Sequence, residues 1–129
     1  MSAITSVIDA VEAGVSAAGL TFIYDDRFAD SARYLQTGNV VLSGVRATTM
    51  DDERSSSDLE TLSLFISVDV LLPCSVVTLK SDWETAERII REVVKRSPQS
   101  YRPSATTASV RTADDVPAIL ISFTFNVVS

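Results

Sequence analysis

From Thr61 to Leu72 the chain reads TLSLFISVDVLL, with an aliphatic side chain at every second position: Leu62, Leu64, Ile66, Val68, Val70 and Leu72. Side chains of a strand alternate between its two faces, so this pattern predicts a strand with one apolar and one mixed face. Ala118 to Val128 repeats it, with Ile119, Ile121, Phe123, Phe125 and Val127 on the apolar side. Two such strands need a cover. Ile4, Val7, Ile8, Val11, Val15 and Ala18 fall at helical spacing, with Gly19 placed to end that helix. A second helix begins at Ser81, with Glu84 three residues on as in a capping box. Its apolar face is Trp83, Ala86, Ile90, Val93 and Val94, with Ile89 beside them and Trp83 as a core anchor. Gly14 inside the first helix reads as tight packing against a neighbour or as simple tolerance.

The remaining elements are weaker. Leu20–Tyr24 is a short strand, and Val40–Thr48 a longer one with Gly44 as a possible bulge. Asp25–Asn39 is polar and aperiodic, either a long surface loop or a loop holding one helical turn. Met50–Asp58 is a charged, serine-rich hairpin tip. Pro73 stops the organising strand, Ser75–Leu79 is apolar enough to be a buried short strand or arm, and Ala105–Thr112 is a weak strand. The order is helix, strand, strand, strand, helix, strand, strand. Each fully buried aliphatic is worth about 1.5–3 kcal/mol over exposure. The fold class expected is therefore α+β: a single domain over 1–129, a two-layer sandwich of mainly antiparallel sheet with two helices packed on one face. The other face carries Ser63, Ser67, Ser122, Thr124 and Asn126 among Phe65, Leu71 and Leu120, and meets water or a second subunit.

Composition narrows the function. Acids outnumber bases 17 to 11, for a net charge of −6. That disfavours a grip on nucleic-acid phosphates or on anionic lipid. No apolar run approaches the roughly 20 residues that span a bilayer, so no membrane partner is expected. The N-terminus has no basic stretch and does not read as a signal peptide. The lone Cys74 excludes an intramolecular disulfide and suits a cytosolic setting.

The chain has no histidine, which removes His-based triads and His-containing metal sites. Cys74 then reads as a structural thiol. No glycine-rich phosphate loop is present. The acidic runs Asp25–Asp26, Asp51–Asp52–Glu53 and Asp114–Asp115 lack calcium-loop spacing and read as solvated turns. Arg88, Arg91, Lys95, Arg96 and Arg102 read as a solvated face with acidic neighbours such as Glu84 and Glu92. Neither a catalytic residue, a metal nor a cofactor is expected. Arg27, Phe28 and Tyr34 differ, because arginine and aromatics on a loop are favoured interface contacts; burial against the chain's own sheet is the competing reading.

The layout as a whole resembles a known family. An amphipathic helix, IDAVEAGVSAA, is followed by a short strand and by a strand pair with a long polar tip ending in LSLFISVDVLL. Then come the helix WETAERIIREVVKR, a polar strand, and the terminal strand AILISFTFNVV. This order and strand character are similar to those of the tail terminator, or tail completion, proteins of long-tailed bacteriophages. The resemblance covers nearly the whole chain. It implies a hexameric ring in the virion neck, assembled in the host cytoplasm, that caps the tail tube protein and offers a surface to the head connector. It implies no catalysis. DNA would pass through the lumen without specific binding, which suits an acidic chain. The contact segments implied are Asp25–Asn39 and Met50–Asp58, the latter bringing Asp51, Asp52, Glu53 and Arg54, with Arg27, Arg54 or Arg111 making charge contacts between subunits. Three rivals stand beside it: a dimeric α+β ligand-binding or regulatory module, a metal-assisted hydrolase built on paired carboxylates, and a different head–tail joining protein.

Overall fold

A computed structural model describes residues 3–24, 31–50, 63–98, 101, 103–113 and 115–128. The chain runs through α1 (Ala3–Ala17), β1 (Phe22–Tyr24), α2 (Ser31–Gln36), β2 (Val40–Met50), β3 (Ser63–Pro73), α3 (Leu79–Arg96), β4 (Pro103–Ala113) and β5 (Val116–Val128). The five strands among the described residues form one sheet in the order β1-β2-β3-β5-β4. Only β1 is parallel to its neighbour; the other three pairings are antiparallel. The fold is thus the expected α+β, mainly antiparallel sheet.

The two strongly alternating segments are neighbours at the centre of the sheet. Ile66 lies opposite Phe125, Val68 opposite Phe123 and Val70 opposite Ile121, so their apolar sides coincide. That shared face, with Val40 and Leu42 from β2, is covered by Val7, Val11 and Val15 of α1 and by Ala86, Ile89 and Val93 of α3. Alternation in the strands and helical spacing in the cover meet in one core.

Several local expectations are corrected. α3 begins at Leu79, two residues before Ser81, and its N-cap is Thr78. Its buried centre is Ala86, Ile89 and Val93, while Trp83 is 36% exposed and is not a core anchor. The buried stripe through Ala86, Ile89 and Val93 leaves Trp83 at the rim of the helix's covered face. Ser75–Leu79 is not a buried strand. Residues 76–78 form a turn, and Val76 and Val77 are 91% and 94% exposed. Local hydrogen bonding wins over apolar composition here: Asp82 Oδ2 accepts from Ser75 N (3.1 Å) and from Thr78 Oγ1 (2.7 Å).

Within 25–39 the described residues, 31–39, hold a short helix, α2. This helix lies on the other face of the sheet from α1 and α3. Leu35 packs there with Val41, Leu71 and Ala118, joined by the partly buried Tyr34, Val116 and Leu120. Of the apolar residues that interrupted the polar face, Leu71 and Leu120 therefore have a cover. The bulge expected at Gly44 is present, as a register shift between Leu42 and Gly44. Gly19 ends α1 with φ +84°, a conformation that glycine adopts without steric cost. No helix among the described residues is long and apolar enough to cross a membrane.

Candidate functional site

Two sets of surface features are available for function, one on the sheet and one around α3. Beyond the ground held by α2, the sheet presents rows of mostly small or polar residues. Gly44, Asp69, Ser122 and Thr107 make one row, and Arg46, Ser67 and Thr124 the next. Ser67 and Thr124 share a 3.5 Å hydrogen bond across the strands. Asp69 Oδ1 is enclosed without a hydrogen-bond partner among the described residues. Its other oxygen lies 3.7 Å from where a Cβ on Gly44 would stand, so the bulge glycine leaves room for this carboxylate.

The edge of the sheet matters as well. Among the described residues β4 pairs only with β5, and Ser104, Thr107, Ser109, Val110, Arg111 and Thr112 are exposed. A long edge strand with unpaired backbone groups and few charges is a template for pairing. Arg111 sits on this strand opposite Ala118 and is exposed.

Two of the three arginines of α3 are neutralised locally. Arg91 Nη2 donates to Glu87 Oε1 at 2.7 Å, and Arg96 pairs with Glu92 one turn back. A phosphate-binding patch is not what these contacts build, and such exposed pairs add little to stability. A depression of about 170 Å³ opens among Glu84, Glu87, Arg88 and Arg91. Another of about 300 Å³ lies between α1 and the far end of α3, lined by Ser6, Asp9, Ala10, Ala13, Arg96 and Pro98.

Of the other residues singled out in the sequence, Tyr34 is half-buried against its own sheet, so its ring contributes to the small second core. Arg27, Phe28, Asp51, Asp52, Glu53 and Arg54 lie outside the described residues, as do Asp25, Asp26, Arg102 and Asp114. Asp115 stands in the tight connection between β4 and β5 with φ 67°, the ordinary work of an aspartate in a hairpin turn. Cys74 packs partly against the main core, and burial together with Asp82 pushes its thiol upward, away from the reactive thiolate.

The exposed valines were missed from sequence because VV between Ser and Thr reads as core. The signal was the pattern Ser75–Thr78–Asp82, which offers two hydroxyls and a carboxylate at turn spacing. No protein-family model matches the chain, and no curated protein sequence matches it.

Proposed function

We propose that the chain is a structural subunit of a bacteriophage neck, a tail terminator that closes the tail tube as a ring and presents a surface to the head connector. The single observation that carries this reading is where exposure falls. Val76 and Val77 project at one end of α3, β4 has an edge without a partner strand among the described residues, and the open sheet face carries many short polar side chains. These are docking features on separate parts of the surface, as a ring closed by rotation requires: one patch on each subunit meets a different patch on the next. The element order agrees with the resemblance, and a net charge of −6 suits a passage for DNA that must not hold it. The role is assembly, in the virion neck, with the tail tube protein and connector proteins as partners.

The test is addition of the purified protein to tail tubes of the phage that encodes it. Capping predicts rings with a central hole on tube ends and an end to tube growth. Tubes that keep growing with bare ends would refute it.

A second reading has one observation behind it. The β4 edge is self-compatible: two copies placed antiparallel about Ala108 would set Thr107 against Ser109 and Val110 against Thr106. That geometry builds a two-fold dimer, the form a regulatory module would take, and a dimer in place of rings would favour it.

A further inference from the structure

Tyr24, Val76, Val77, Trp83 and Val110 are the large hydrophobic side chains left exposed among the described residues, and three of them fall between Val76 and Trp83. Single exposed hydrophobics are ordinary, but two adjacent valines each more than nine-tenths exposed are not. The turn that carries them is held firmly. Beyond the two bonds to Asp82, Thr78 N donates to Ser75 Oγ at 3.1 Å, and the Ser75 and Thr78 hydroxyls lie 2.6 Å apart. A fixed turn presents both side chains with little ordering left to lose on contact.

The depression lined by Ala10, Ala13 and Pro98 lies at the other end of α3. The 18 residues of that helix span about 27 Å, so projection and depression cannot meet within one chain. Their charges are complementary. Lys80 is exposed in the first turn of α3, where the helix dipole disfavours a cation. Asp9 lines the depression, whose basic residue Arg96 is already paired with Glu92.

We propose that Val76 and Val77 of one copy seat in the α1–α3 depression of a second copy, between Ala10, Ala13 and Pro98, with Lys80 of the first meeting Asp9 of the second. The contact is head-to-tail, so repetition gives a ring when the rotation closes and a filament when it does not. It deepens the ring reading above and rests on that reading for closure alone.

The experiment uses the full chain in sedimentation equilibrium over a concentration series, with emission from Trp83, the sole tryptophan, followed in parallel. Association that covers Trp83 along with the valine turn shifts the emission to the blue. Val76→Ser and Val77→Ser each weaken association about tenfold or more. Asp9→Lys and Lys80→Glu each weaken it too, and the double variant restores it. Circular dichroism shows each variant folded, as expected for changes at exposed positions.

A chain that stays monomeric throughout the series overturns the proposal. So does association that ignores the valine variants, or charge reversals that fail to rescue one another. Negative-stain imaging of the same samples separates the two readings. Rings that persist in every variant sink this contact and leave the ring standing. Open filaments that respond to the variants keep the contact and sink the ring.

Discussion

Gly14 of α1 lies against Val93 of α3 so closely that a Cβ on the glycine would stand 2.8 Å from the Val93 backbone nitrogen and 2.9 Å from its Cα, and closer still to Cγ2. Backbone atoms cannot swing aside as a flexible side chain can. The glycine therefore sets the approach of the two helices that cover the sheet. Gly14→Ala gains about 1 kcal/mol in helix propensity but forces the helices apart, at about 1–3 kcal/mol. Net destabilisation in urea unfolding is the expected result; a stabilised variant would show that the helices have slack at this crossing.

The second small core makes its own prediction. Leu35 is 2% exposed and joins α2 to Val41, Leu71 and Ala118 on the face opposite α1 and α3. Leu35→Ala should cost about 2–5 kcal/mol, as for other fully buried leucines. An effect below about 0.5 kcal/mol, the range of ordinary surface changes, would mean that α2 does not hold that face.

The expectation from sequence was strongest where one pattern decided the outcome. Ile66, Val68, Ile121 and Phe123 alternate so regularly that the central pairing and its buried face followed directly, and Val7, Val11 and Val15 supplied part of the cover. It was weakest where short-range hydrogen bonds compete with hydrophobicity. Val76 and Val77 look like core residues, yet Asp82 with Ser75 and Thr78 turns the chain outward. α2 is too short for its periodicity to register, and only Leu35 declares its buried side. Trp83 was misplaced because the buried stripe of α3 runs through Ala86, Ile89 and Val93, which at helical spacing continues back to Asp82 and Leu79 and leaves Trp83 beside it. Most of the loop residues named as contacts lie outside the described residues, so the candidate interface now rests on α3, on β4 and on the open sheet face.

Asp82 carries the turn before α3. Asp82→Ala removes the acceptor for Ser75 N and Thr78 Oγ1, and with it a negative charge from the first turn of the helix. The expected loss is about 0.5–2 kcal/mol, the range for a helix-start acceptor. Hydrogen exchange at the Ser75 amide should speed up in the variant. An unchanged exchange rate would show that the turn holds without this carboxylate.

Tyr24 links β1 to α1 through its hydroxyl, which donates to Glu12 Oε2 at 2.7 Å. Burial first, and then this hydrogen bond, push the Tyr24 hydroxyl up to about 12 from an ordinary 10. The folded state thus favours the protonated phenol. Its contribution to stability is complete below pH 10 and is lost as the pH rises from 10 through about 12. The gap in stability between the wild type and Tyr24→Phe should narrow across that window. A gap that stays constant would show that ionisation of Tyr24 is not linked to folding.

The most direct measurement of the proposed neck role is electron microscopy of the protein, alone at rising concentration and mixed with phage tail tubes. The account predicts closed rings with a central hole that sit on tube ends, with the Val76–Val77 turn of each subunit against α1 and α3 of the next. Compact two-fold dimers that ignore the tubes would contradict it.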